Sequence, residues 1–176
     1  QPCSSELTAP RLDPFPRPFQ AVVSVPVRHW PPLVFEHRLP LWIVKLQVEL
    51  MQIRRCATNG YTVVWLPQER ILFSGDLVEY QTTPYTGDAY LADWPATLDA
   101  IATLKPAKLV PGRGAALQNE AQVAAGLDGT RAFFTEMFGA VKAGAASVKD
   151  LRTVYKETYA ALKPRFGDVV IFDHCY

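Results

Sequence analysis

Between positions 62 and 114 the chain spells out an order of elements that few architectures accommodate: strand, turn, strand, a Gly-Asp step, helix, strand and a Pro-Gly-X-Gly turn. Thr62-Val63-Val64-Trp65-Leu66 is β-branched and aromatic, a composition that suits a pleated, half-buried surface. Pro67-Gln68-Glu69-Arg70 supplies turn chemistry, and Ile71-Leu72-Phe73 is a second apolar run that stops at Ser74-Gly75-Asp76. The two runs predict a hairpin that delivers a carboxylate to a strand end. Trp94-Pro95 then opens a helix carrying Leu98, Ile101 and Leu104, and Pro106 closes it. Proline is tolerated in the first turn of a helix and stops it later on. Lys108-Leu109-Val110 leads from there into Pro111-Gly112-Arg113-Gly114.

The flanks differ from this middle. Residues 1–40 hold nine of the fifteen prolines, so neither a helix nor a central strand runs far there, and the stretch reads as an extended arm or linker before a domain spanning 41–176. Order begins with Leu41-Trp42-Ile43-Val44, and Val48 and Leu50 alternate with Gln47 and Glu49, which marks a half-buried strand through Ile53. After Gly114 the period becomes helical. Val123, Leu127, Phe134, Phe138 and Val141 share one face of a helix interrupted or loosened near Gly126 and Gly129. Ser147 with Asp150 forms a weak capping pair, followed by a stripe of Val148, Leu151, Tyr155, Tyr159 and Leu162 that ends at Pro164. Val169-Val170-Ile171-Phe172 is a last apolar run before Asp173-His174-Cys175-Tyr176.

Composition removes several functions. With 176 residues, 49% of them hydrophobic, the chain can bury a core of its own. A net charge of +1 gives no electrostatic footprint for nucleic acid. No apolar run reaches the roughly 18–20 residues that span a bilayer, so no membrane partner is expected. Cys3, Cys56 and Cys175 are odd in number and far apart, which argues against a disulfide framework and agrees with a reducing, cytoplasmic compartment.

The order of elements, with Phe73-Ser74-Gly75-Asp76-Leu77 followed by Leu109-Val110-Pro111-Gly112-X-Gly114, resembles the second half of a metallo-β-lactamase-fold hydrolase, over roughly positions 33–175. The resemblance implies an α/β chain of the α+β sandwich type: part of an αββα fold, with a mixed sheet and C-terminal helices. It also implies a zinc site at the strand ends in intact relatives, which hydrolyse small-molecule esters, thioesters, lactams or phosphoesters. The family takes most of its ligands from an early His-X-His-X-Asp-His word. This chain has only His29, His37 and His174, and none is spaced to share a metal with another. Ala57 falls where a further ligand histidine belongs, Tyr61 where an aspartate usually stands, and Arg113 where the last histidine belongs. Asp76 alone matches a family metal ligand. One carboxylate does not hold zinc, which takes three or four donors, and arginine does not coordinate cations.

Other candidates stand beside plainer readings. Cys56 offers a thiolate next to Ala57 but reads first as an ordinary residue beside Arg54-Arg55. His174 and Cys175 beside Asp173 have ligand chemistry and no second cluster nearby. Asp76, Glu79, Asp88 and Asp93 crowd the loop after the hairpin, where paired carboxylates can do acid and base work or simply form a polar loop. A guanidinium at Arg113 could pair with Asp76 where the family holds its metal, as a structural ion pair or an anion pocket.

The expectation is a hydrolase homologue or fragment that binds no zinc and is inactive as this chain alone, whether truncated, decayed or repurposed. The alternative is a non-catalytic module that binds through residues 77–93 and the helical tail. Because residues 1–40 stand where the family places its first sheet, an exposed sheet face and self-association are also expected.

Overall fold

Alternating apolar residues build four antiparallel strands in succession: β1 (Arg38–Ile43), β2 (Leu46–Ile53), β3 (Tyr61–Leu66) and β4 (Ile71–Gly75). This computed structural model describes residues 35–53, 61–86, 89–147, 149–169 and 172. Helix α1 (Trp94–Thr103) then crosses over, as a parallel connection requires, and β5 (Lys108–Pro111) pairs in parallel with β4. Sheet order follows chain order, β1 through β5. Two long helices complete the chain, α2 (Glu120–Ala146) and α3 (Leu151–Phe166). The fold is α/β, with a mixed sheet and helices after it.

Period two sorts the strands into two faces. Val63, Trp65, Leu72 and Leu109 join Trp94, Leu98 and Ile101 of α1 and Phe133 and Phe134 of α2 in one buried core. Trp94 and Phe134 stack with centroids 3.8 Å apart, and Phe133 meets Phe134 and Phe166 edge to face. The opposite face carries an apolar row of register partners across all five strands: Leu39, Leu50, Val64, Phe73 and Val110. Phe73 in that row is 41% exposed.

Several expectations need correction. Residues 41–53 are not one strand. Val44 takes φ +58° and turns the chain back, so 38–53 is a hairpin with Trp42, Ile43 and Val44 exposed around its tip. A β-branched residue in the left-handed region is locally unfavourable, and propensity gave no warning of it. The first strand also begins inside the stretch read as an arm. Pairing explains this: Arg38 is in register with Met51 and makes an ion pair with buried Glu49.

Helix α2 runs unbroken through Gly126 and Gly129. Its buried stripe is Val123, Leu127, Thr130, Phe133, Phe134 and Met137, while Phe138 and Val141 are exposed. Gly126 packs against Leu117, whose Cδ1 would lie 2.7 Å from a Cβ there. In α3 the buried residues are Val154, Thr158, Leu162 and Phe166, whereas Leu151 and Tyr155 are exposed. Leu162 of the expected stripe is buried and Tyr159 packs against the core, but Val154, Thr158 and Phe166 replace Leu151 and Tyr155 on the buried face, and the helix continues past Pro164 to Phe166. Asp150 caps α3 by accepting from Thr153 N–H at 3.1 Å. Ser147 instead ends α2, its hydroxyl donating to Ala143 O at 2.9 Å. Phe172 is buried in the core. Val148, Val170 and Ile171 lie outside the described residues.

Candidate functional site

β4 and β5 end side by side, and their two outgoing turns interlock. Gly75 closes β4 at φ +53°, a backbone region open to glycine. The chain then turns sharply, with Leu77 N–H donating to Ser74 O and Val78 N–H to Gly75 O, both at 3.4 Å. From the β5 side, Gly112 N–H donates to Gly75 O at 2.8 Å, and Tyr80 N–H donates back to Arg113 O at 3.3 Å. The approach is too close for side chains. A Cβ on Gly112 would overlap Asp76 Oδ1 and lie 2.7 Å from Asp76 N, and one on Gly114, at φ +92°, would overlap Tyr80 O. This is the physical content of the Pro-Gly-X-Gly word: both glycines make room for the turn that carries the carboxylates.

Three further contacts fix that turn. Asp76 N–H donates to Tyr61 Oη at 2.7 Å. Trp94 Nε1–H, from the first turn of α1, donates to Leu77 O at 3.1 Å. The buried Thr130 hydroxyl oxygen of α2 accepts Glu79 N–H at 3.3 Å and lies 3.1 Å from Glu79 O. Each layer of the fold thus holds one part of the site. On its α2 side the same turn walls a cavity of about 210 Å³ together with Thr83, Thr130, Phe133 and Phe166.

Asp76 lies in this turn and Glu79 just after it, and Arg113 faces both. Arg113 Nη1 lies 3.1 Å from Glu79 Oε1, and Nη2 lies 3.9 Å from Asp76 Oδ2. The Glu79 side chain is completely buried, while those of Asp76 and Arg113 are 44% and 37% exposed. Burial pushes the Glu79 carboxyl up to about 7; Arg113 pulls it down and the Asp76 carboxylate pushes it up again. Glu79 Oε2 has no hydrogen-bond partner.

Asp76 and Arg113 come together at the strand ends. Asp93 stands at the N-cap of α1 without a side-chain cap bond, and Cys56, Ala57, Asp88, Asp173, His174 and Cys175 lie outside the described residues. Glu79 is the partner that sequence reasoning missed: it read as one of several loop carboxylates, and no local signal sets it apart from them. The group does not fit a zinc ion. Two carboxylates and a guanidinium supply one hard donor type and a fixed positive charge, and among the described residues no three His, Cys, Asp or Glu side chains are grouped to hold a metal.

Residues 57–113 match the family model of the metallo-β-lactamase superfamily. Among solved structures, a metallo-β-lactamase from Pontibacter korlensis is similar at 26% identity and a TM-score of 0.50, over 57% of this chain and 49% of that one. A metallo-β-lactamase family protein from Thermus thermophilus is similar at 16% identity and a TM-score of 0.55, over 77% of this chain and 49% of its own. A double mutant of a sec-alkyl sulfatase matches over 70% of this chain and 21% of its own, at 13% identity and a TM-score of 0.57. These last two likenesses are of fold. The chain spans about half the length of the first solved structures it matches. No curated protein matches it.

Proposed function

We propose, from the premise that residues 57–113 belong to the metallo-β-lactamase superfamily, that this chain is a homologue of the hydrolases of that fold and that its own residues do not run metal-dependent hydrolysis. The carrying observation is Arg113, whose guanidinium faces the Glu79 carboxylate at 3.1 Å and the Asp76 carboxylate at 3.9 Å. Hydrolysis in a metal site depends on a bound water whose pKa has fallen to about 7. A guanidinium has no vacant orbital to bind water and no lone pair to act as a base, so it supplies charge without supplying a nucleophile. Small-molecule esters, thioesters, lactams and phosphoesters are the substrates that intact relatives would take.

The test is elemental analysis of the chain purified without a histidine tag, coupled to turnover of a β-lactam, a thioester and a phosphodiester with and without chelator. The expected result is no stoichiometric zinc and rates equal to buffer. Chelator-sensitive turnover that disappears in Asp76→Ala overturns the reading.

A further inference from the structure

A pair of acidic side chains is ordinary on a protein surface; this pair reaches into the interior. Glu79 is completely buried, with Oε1 against Arg113 Nη1 at 3.1 Å and Oε2 without any hydrogen-bond partner. A buried carboxylate oxygen left unpartnered is unfavourable unless a cation stands close by. Asp76 is pressed into the same place: the backbone of Gly112 passes so near its carboxylate that no Cβ fits between them, and the next residue along that backbone is Arg113. The two turns are stitched together by Gly112 N–H to Gly75 O and Tyr80 N–H to Arg113 O, so the guanidinium is delivered to the carboxylates by main-chain geometry.

We propose that Arg113 is a resident cation that closes a divalent-cation site: its guanidinium faces the Asp76 and Glu79 carboxylates, supplies the positive charge they require, and thereby keeps a metal ion out. The inference rests on the functional reading above and explains it at the level of one side chain. Two carboxylates are hard oxygen donors of the kind that suit Mn²⁺, Mg²⁺ or Ca²⁺. A dication approaching them meets a fixed unit charge within hydrogen-bonding distance of Glu79 and is repelled. Arginine keeps that charge at every accessible pH. With the guanidinium removed, the same two carboxylates and the surrounding water become a weak site for such an ion.

Titration of the full chain with Mn²⁺, followed by water-proton relaxation, tests this. The unchanged protein is expected to show no saturable binding up to about 1 mM, the weak end of the range for carboxylate sites. Arg113→Gln is expected to bind Mn²⁺ at least about tenfold more tightly than the unchanged protein, and Arg113→Gln with Glu79→Gln to lose that gain. Equal Mn²⁺ affinity with and without the guanidinium, or a gain that survives Glu79→Gln, overturns the inference. Circular dichroism shows whether Arg113→Gln folds. If it does not, Arg113→Lys, which keeps a charge, serves instead: it is expected to fold and to exclude Mn²⁺, and saturable Mn²⁺ binding by Arg113→Lys overturns the inference. The functional reading is judged by turnover and this one by Mn²⁺ occupancy, so failure of one is distinguishable from failure of the other.

Discussion

Arg113 Nη1 sits 3.1 Å from Glu79 Oε1, and the two partners differ sharply in environment: the Glu79 side chain is completely buried and that of Arg113 is 37% exposed. The pair is therefore lopsided. Removing the arginine strands a carboxylate in the interior, whereas neutralising the glutamate leaves a guanidinium that water can reach.

At pH 8, Arg113→Ala should lower stability by about 1–4 kcal/mol, between the cost of breaking an exposed pair and that of breaking a buried one, and Glu79→Gln by no more than about 1 kcal/mol. Denaturant melts of both variants and of the double variant test this. The double variant should lose less than the sum of the singles, because no charge is then left unpaired. Equal, additive losses would show that the two residues do not interact.

Stability should also depend on pH through Glu79. Burial raises its carboxyl from 4.5 to about 7, so between these values the folded protein holds a proton that the unfolded chain has released. Stability from this group is complete below about pH 4.5 and is lost as pH rises through about 7, a span of about 3 kcal/mol. Melts at a series of pH values should show this decline, and Glu79→Gln should flatten it. A parent curve that rises over the same interval would contradict the assignment.

The core makes a separate prediction through Trp94 and Phe134, which stack at 3.8 Å with both side chains completely buried. Phe134→Ala should cost about 3–5 kcal/mol. Trp94→Phe keeps most of the ring contact but leaves Leu77 O without its indole donor, and should cost about 1–3 kcal/mol. The second change should also disturb the Asp76 turn. Faster amide exchange at Leu77 and Val78 in Trp94→Phe than in the parent is the measurement.

Two glycines should respond in opposite directions. Gly112→Ala places a methyl group against Asp76 N and the Gly75 carbonyl carbon, both backbone atoms that cannot rotate away, and should destabilise by about 1–3 kcal/mol. Gly139 lies within α2 with nothing within 4 Å of a Cβ. Gly139→Ala should therefore stabilise by about 0.5–1 kcal/mol, as expected for an exposed helical position. Paired thermal melts distinguish the signs.

What sequence alone determined was local and periodic. The β-branched run at 62–66, the apolar run after Arg70, the Trp94-Pro95 helix start and the Pro-Gly-X-Gly turn each depend on neighbours a few residues away, and each forms where the residues say it should. Asp76 at the end of β4 was legible for the same reason. The errors came from positions where the folded chain adopts a locally disfavoured outcome because long-range contacts outweigh it. Val44 is a good strand residue that turns the chain because β1 gains a partner in β2. Gly126 and Gly129 are poor helix residues inside an unbroken helix, because packing of Val123, Leu127 and Thr130 outweighs their propensity. In α3, Leu162 and Tyr159 fall on the inner side as their spacing suggests, whereas Leu151 and Tyr155 are exposed, because packing against α2 and the core, and not periodicity alone, selects the rest of the buried face.

Tertiary structure alone decided the chemistry of the site. Glu79 reads in sequence as one acid among several. It becomes the buried partner of Arg113 only because Thr130 of α2 holds its backbone, Trp94 of α1 holds the turn, and two glycines let the β5 turn approach. Those contacts join positions 51, 17 and 34 residues apart. No local pattern encodes them, because burial and charge pairing are properties of the packed chain, and the same carboxylate is a solvated loop residue until three separate elements close around it.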